Sequence, residues 1–186
     1  MLIIYFDEVK HDADTQKYEW LAGIGVEDEH ILEIEERVGD VAHGCFGNKI
    51  LSPKTELHAA EIAHRRGNFK SWSDVGKRIG VLKQLAEILA DRERIHRVFA
   101  RIEVSLLSEG DSPRDRAFVY FVERADGLAK NRRTKGLLIG DFEKERDARE
   151  SATELSGFRH YGTPYPFGKE INNLVDSVHY THSYSS

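Results

Sequence analysis

The sequence predicts an α/β fold in which helices flank a mixed β-sheet. Short apolar runs alternate with longer stretches of helical periodicity along most of the 186 residues. The first two apolar runs are separated only by a polar loop, which is typical of an antiparallel hairpin. The later runs are separated by helical stretches, and such connections join parallel strands. A sheet with both kinds of pairing is therefore expected.

The first part of the chain predicts two strands and then a helix. Residues Leu2–Phe6 are β-branched, aromatic or leucine, and Lys17–Val26 forms the second apolar run after the loop KHDADTQ. Asp28 is the predicted N-cap of the helix that follows. Three apolar residues there have helical spacing: Ile31, Ile34 and Val38. The two strands are expected to pair as a hairpin.

The middle of the chain predicts two further helices and a third strand. Residues Glu56–Ala63 are expected to form one or two helical turns, and a longer helix begins at Ser73 or a neighbouring residue. A third strand is expected over Ile95–Leu106. The apolar face predicted for the longer helix consists of Val75, Ile79, Leu82, Leu85, Ala86 and Leu89.

The last third of the chain predicts two helices that alternate with two strands. Ser112 is the predicted N-cap of the first helix, with Pro113 at its first position. A short apolar run then ends at Asp141, and the next helix is ended by Gly162. The last strand falls within residues 172–186. With no repeat or linker in between, one domain over residues 1–186 is expected.

Composition limits the classes of partner. The net charge of -5 and the pI of about 6.0 are not those of a protein that binds nucleic acid by bulk charge, so such binding would need local patches or metal ions. The single cysteine, Cys45, excludes an internal disulfide. No apolar run is long enough to span a membrane, and the first residues do not resemble a signal peptide. The expected location is the cytoplasm.

Two acids stand at the ends of predicted strands. Asp7 follows the first apolar run and Asp141 ends the fourth, and ligands of open α/β sheets collect beyond the carboxyl ends of strands. Adjacent carboxylates repel each other unless a cation lies between them, and oxygen ligands suit Mg²⁺ or Mn²⁺. Each acid alone is equally well explained as the start of a loop or a helix cap. Glu8 is expected to face solvent, since neighbouring strand residues point to opposite faces.

The stretch TELHAAEI adds two candidates, Glu56 and His58. Its small residues permit close packing, so an acid there could reach the same edge of the sheet. The simpler interpretation is an exposed helical turn with its acids in water. The histidines of the chain show no compact zinc spacing with cysteine.

Seven motifs taken together resemble the domain of unknown function 3800 family over essentially the whole chain. They are YFDE, WLAGIGV, ELHAAEI, FVERAD, GLLIGDFE, GTPYPFGKE and DSVHYTHSYS. The resemblance implies a ribonuclease H-like fold and a metal-dependent nuclease. It implies that Asp7, Glu56 and Asp141 hold two Mg²⁺ or Mn²⁺ ions, with Glu8 and His58 beside them. Asp7 would bridge the ions, and His58 or His179 would shuttle a proton.

The chain departs from the family pattern in two places. Val9 and Lys10 stand where the common form has Ser-Gly, and the sequence stops at Ser186, where a helix with a further acidic ligand would begin. Truncation, or compensation by an acid such as Asp176, would explain the second departure. The alternative function is a non-catalytic module that binds nucleic acid or protein. A phosphoesterase acting on a small nucleotide, and an oligomer or partner that covers the C-terminal edge, also stay open.

Overall fold

A computed structural model of the chain describes residues 1–50, 52–141, 145–165 and 168–181, and for 145–148 and 181 it describes the backbone alone. These residues form two compact units. We name them the sheet unit, residues 1–28 and 96–181, and the helical unit, residues 29–95. The expectation that residues 1–186 form one ribonuclease H-like domain stays a prediction.

The sheet has five strands in the order β3-β2-β1-β4-β5. They are β1 (Leu2–Val9), β2 (Tyr18–Glu27), β3 (Ile95–Glu103), β4 (Gly136–Asp141) and β5 (Leu174–Thr181). Strands β1 and β2 form the predicted antiparallel hairpin. Strand β4 lies parallel to both β1 and β5. The mixed sheet expected from the sequence is therefore confirmed.

Five α-helices accompany the strands. They are α1 (Ile31–Phe46), α2 (Ala59–His64), α3 (Val75–Leu89), α4 (Pro113–Asn131) and α5 (Glu145–Tyr161). The first three belong to the helical unit, and α4 and α5 pack on the strands of the sheet unit. The predicted succession of strands and helices is confirmed.

Helix α4 forms the centre of the sheet unit's core. It begins as predicted, because the Ser112 hydroxyl oxygen accepts a hydrogen bond from the backbone N–H of Asp115 at 3.2 Å. Its stretch of residues 117–122 is apolar or aromatic throughout, and Phe121 and Val122 are fully buried. Burial of one such side chain contributes about 1.5–3 kcal/mol. Helix α4 therefore covers one face of the sheet. Residues at the strand ends that point to the other face do not pack against this helix.

A buried acid connects α4 to the start of β5. The carboxylate of Asp126 accepts hydrogen bonds from the backbone N–H of Asn173 at 2.5 Å and from its side-chain amide at 3.1 Å. Asp126 is only 6% exposed, so these bonds replace the water that its carboxylate loses. They fix the entry of β5 beside β4.

Several boundaries differ from those predicted, and α2 begins at Ala59 where Glu56 was expected. Strand β1 continues through Asp7 and Glu8 to Val9, since its hydrogen bonds with β2 extend that far. Asp28 is not an N-cap, because its carboxylate pairs with the N-terminal amino group at 2.7 Å. Strand β3 ends at Glu103, and a single 3-10 turn follows it.

The helical unit corrects the prediction for α3. The cap is Asp74, whose carboxylate accepts the N–H of Lys77 at 3.1 Å. The predicted apolar face is wrong in part, because Val75, Ile79 and Leu89 are 56%, 47% and 43% exposed. The buried residues are Val81 and Ile88, which lie on the side that packs toward the other helices.

Candidate functional site

The register of β1 and β4 brings two predicted site residues together. Phe6 aligns with Gly140 in the parallel ladder, and the next residue of each strand is Asp7 or Asp141. Aligned residues of adjacent strands lie about 4.8 Å apart and point to the same face. Asp7 and Asp141 therefore share one face of the sheet at the carboxyl ends of β1 and β4. We name this face the acid face.

Gly140 permits this arrangement from the opposite face of the sheet. A Cβ atom at this position would come within 2.7 Å of the Phe6 ring and within 2.8 Å of the Tyr180 ring. These rings are centred 6.2 Å apart and meet edge to face. The absence of a side chain at residue 140 thus lets two aromatic rings support the strand ends directly beneath the acids.

The third strand of the acid face adds a histidine. His179 on β5 aligns with Ile139, so its side chain lies on the same face as that of Asp141. The His179 ring is exposed, and its Nε2 atom lies 3.1 Å from the Ser177 hydroxyl oxygen. Asp7 is also exposed and accepts the backbone N–H of Glu8 at 2.7 Å. Carboxylate oxygens and an imidazole thus lie along three adjacent strand ends.

Glu8 lies on the opposite face from Asp7, and the expectation that it faces solvent is wrong. Its carboxylate lies 3.1 Å from the Lys10 ammonium and 3.8 Å from the Arg114 guanidinium. Arg114 also donates a hydrogen bond to the Ser151 hydroxyl at 3.1 Å. Alternation along β1 turns Glu8 toward the helix-covered face, where the start of α4 supplies a cation. Glu8, Lys10, Arg114 and Ser151 therefore form a second polar cluster, on the face opposite to the acid face.

Sequence reasoning missed Glu154, which lies in this second cluster. Burial raises the pKa of the Glu154 carboxyl to about 7, and the nearby carboxylate of Asp115 raises it further, while Arg114 acts in the opposite direction. Burial also raises the pKa of Tyr180, against a hydrogen bond with Ser151 that lowers it. The sequence does indicate this burial. Glu154 lies at helical spacing from Ser151 and Phe158, which are buried residues of α5.

Glu56 and His58 lie in the helical unit, immediately before α2. The His58 Nε2 atom is 3.1 Å from a Glu56 carboxylate oxygen, without the alignment of a hydrogen bond. His58 occupies the N-cap position of α2 but makes no side-chain capping bond. The two residues are thus near neighbours of each other, and the expectation that Glu56 joins Asp7 and Asp141 as a metal ligand stays a prediction.

The acid face presents two carboxylates, and the described residues of the sheet unit do not complete a compact set of metal ligands around them. Within the described part of the sheet unit, no three His, Cys, Asp or Glu side chains bring ligand atoms within 4.8 Å of one another. Asp176, the acid suggested as a compensating ligand, is exposed on β5. Residues 142–144, 166–167 and 182–186, which complete three of the family motifs, lie outside the described residues.

Comparison with models of known protein families gives no match for this chain, and comparison with curated proteins gives none either. Among the residues that the structure describes, no helix is both long and apolar enough to cross a membrane. Inference about function therefore depends on the geometry of the strand ends.

Proposed function

We propose that this chain is a metal-dependent phosphodiesterase that cleaves nucleic acid. The observation that carries the proposal is the placement of Asp7 and Asp141 on one face, at the carboxyl ends of adjacent parallel strands. This is where open α/β sheets collect their ligands. Paired carboxylates supply the oxygen ligands that suit divalent ions such as Mg²⁺ and Mn²⁺.

The donor set fits Mg²⁺ or Mn²⁺. Magnesium in enzymes is usually held by one or two carboxylates, with water and substrate phosphate completing the shell. Asp7 and Asp141 supply two carboxylates from rigid, hydrogen-bonded strands, and a cation between them would remove their mutual repulsion. These two residues would hold the ion. The family resemblance implies Glu56 as a further ligand and a second ion.

The acids of this face would bind the ion, and the histidine would transfer protons. A bound divalent ion would supply Lewis-acid activation of water and neutralise charge on the phosphate. His179 supplies an imidazole on the same face, and such a group can act as a general acid or base. Its contact with the Ser177 hydroxyl holds the ring in position. The strand ladder keeps the acids in place, so little reorganisation is needed when substrate binds.

The sheet also supports the finer assignment of a ribonuclease H-like fold. The sequence pattern predicted an N-terminal hairpin followed by βαβ units on one mixed sheet, and the resemblance implied a ribonuclease H-like fold. The observed sheet starts with the antiparallel β1–β2 pair and continues with parallel β4 and β5, reached through α4 and α5. We therefore include this chain, as a proposal, with the domain of unknown function 3800 family.

A cleavage assay tests the function. The full chain is incubated with labelled single-stranded, duplex and hybrid RNA and DNA, in Mg²⁺, Mn²⁺ or chelator. We expect cleavage that requires the ion and that falls by more than about 100-fold in Asp7→Asn and Asp141→Asn, because the loss of a metal ligand costs more than the 10- to 100-fold typical of outer-shell partners. The matched control is Glu109→Gln, which removes an exposed acid from a loop. Full activity of Asp7→Asn would contradict the assignment.

One observation favours a second function, a module that binds nucleic acid without cutting it. In the sheet unit's described residues, no third ligand atom converges with a pair of acids into a compact group. Such a site would bind an ion more weakly than a three-ligand site. Oligonucleotide binding without cleavage, under every metal condition of the same assay, would favour this second function.

A further inference from the structure

A group of aromatic rings lies on the acid face, toward the β3 edge of the sheet. The rings of Tyr18 and Trp20 are centred 6.2 Å apart, and those of Trp20 and Phe99 are 6.3 Å apart. The Arg101 guanidinium lies 4.6 Å from the centre of the Tyr18 ring and 5.6 Å from that of Trp20. We name these four residues the aromatic platform.

The platform shares a face with the acids. In the hairpin register Asp7 aligns with Ala22, and Val9 aligns with Trp20, so Asp7 and Trp20 point to the same side of the sheet. Trp20 is two residues from Ala22, which corresponds to about 7 Å along the strand. The contact between Trp20 and Phe99 then extends this surface onto β3. A chain bound across the platform would pass directly beside Asp7.

Phe99 and Arg101 are exposed, Tyr18 and Trp20 are half-buried, and the charged groups beside them are mostly cations, with Glu103 acting on Lys17. Phe99 is 54% exposed, although it is a large apolar residue in a strand. Arg101 is exposed and has no carboxylate within 4.0 Å among the described residues, so its charge is available to a ligand. The Lys17 ammonium lies 4.7 Å from the Tyr18 ring, and Arg97 is exposed at the next outward position of β3. This combination of rings and cations complements an anion with planar groups.

The edge strand that carries Phe99 is held in place from behind. The Arg124 guanidinium, on α4, donates a hydrogen bond to the backbone carbonyl of Phe99 at 2.6 Å. The backbone N–H of Val104 donates to the carbonyl of Lys17 at 3.4 Å, which connects the end of β3 to the start of β2. The rings are therefore presented by a fixed backbone, and a bound ligand would not need to order it.

We propose that the aromatic platform binds single-stranded nucleic acid and delivers it to the acid face, an inference that rests on the proposed phosphodiesterase function. Unpaired bases stack on aromatic rings and on arginine guanidinium planes, whereas bases inside a duplex have no free face. Lys17, Arg97 and Arg101 contact the phosphates, in a chain whose overall charge is negative. The substrate class is therefore single-stranded RNA or DNA.

Fluorescence anisotropy tests this binding separately from catalysis. Labelled 12-nucleotide oligo-U, oligo-dT and a duplex of equal length are titrated with the full chain carrying Asp7→Asn, in chelator. We expect both single strands to bind more tightly than the duplex. Adding Phe99→Ala or Trp20→Ala should weaken binding by about 5- to 150-fold, because each lost ring removes one base stack. Comparison of the affinities for oligo-U and oligo-dT shows whether RNA or DNA is preferred.

Two further variants complete the test. Arg101→Gln should reduce the slope of log affinity against log salt by about 0.7, which corresponds to one phosphate contact on a single strand. Tyr161→Ala is the control, because Tyr161 is 92% exposed at the end of α5. It should leave affinity unchanged. Melting temperatures verify that each variant is folded, and Arg101→Gln keeps the test valid if Trp20→Ala does not fold.

Several results would overturn the proposal. They are the absence of single-strand binding, tighter binding of duplex, or unchanged affinity and salt slope in both Phe99→Ala and Arg101→Gln. Self-association that Phe99→Ala abolishes, without oligonucleotide binding, would identify the platform as a protein interface. Binding without cleavage by the wild-type chain would refute the proposed function alone. Cleavage of bis-p-nitrophenyl phosphate without oligonucleotide binding would refute the platform alone.

Discussion

Asp7 and Asp141 directly follow the aligned residues Phe6 and Gly140, on adjacent parallel strands and on one face of the sheet. The arrangement depends on the ladder, because a shift of one residue in either strand would move its acid to the opposite face. The ring packing of Phe6 beneath Gly140 opposes such a shift. The pair of acids is therefore held by the register of the sheet core.

The acid pair should bind Mn²⁺ through Asp7. Isothermal titration with Mn²⁺ should show binding to the wild type and a loss of at least about 10-fold in affinity for Asp7→Asn. Because Asp7 is exposed, the free energy of unfolding should change by no more than about 0.5 kcal/mol. Glu109→Gln removes the same charge from an exposed loop and should bind as the wild type does. Equal affinity of all three proteins would contradict the metal assignment.

Gly140→Ala should destabilise the sheet unit. The added methyl group would meet the rings of Phe6 and Tyr180 at less than 3 Å, and such overpacking costs about 1–3 kcal/mol. Gly80→Ala is the matched control, because no atom lies within 4 Å of its added Cβ. In the middle of α3 it should stabilise by about 0.5–1 kcal/mol. Urea unfolding measures both, and equal effects of the two variants would refute the packing argument.

Glu154 should make stability depend on pH. Its pKa is about 7 in the folded chain, against an ordinary value of 4.5, so the folded state binds more protons between these values. The resulting stabilisation is complete below pH 4.5 and is lost as the pH rises through 7. Glu154→Gln resembles the protonated acid and removes this dependence. Relative to the variant, the wild type should lose about 1–2 kcal/mol between pH 4.5 and 8, after allowance for solvent screening.

Thermal melts of the two proteins at several pH values measure this difference. Glu109→Gln is the control, because Glu109 is an exposed acid in a loop. Its stability curve should run parallel to that of the wild type. The prediction fails if the curve of Glu154→Gln runs parallel to the wild type as well.

The cap of α3 should be Asp74. Its carboxylate accepts the backbone N–H of Lys77, and the loss of such a cap costs about 1 kcal/mol. Asp74→Ala should therefore lower the free energy of unfolding by about this amount. Ser73→Ala should have almost no effect, although Ser73 is as good a capping residue by sequence alone. A larger loss in Ser73→Ala than in Asp74→Ala, measured by chemical denaturation, would reverse the assignment.

The sequence alone was sufficient to predict the succession of strands and helices, the hairpin and the start of α4. These features depend on local signals. The β-branched run of β1, and Ser112 followed by Pro113, act over a few neighbouring residues. The placement of Asp7 and Asp141 at strand ends was also predictable, because both follow short apolar runs.

The tertiary structure alone decided which residues face each other. Strand alternation places Asp7 and Glu8 on opposite faces, but the sequence could not show which of the two faces α4 covers. It could not reveal the raised pKa of Glu154, since burial comes from elements distant in the chain. The same reason explains the aromatic platform, whose members Trp20 and Phe99 are brought together by the pairing of β2 and β3. Local patterns determine elements, whereas burial and charge environment arise only when those elements pack.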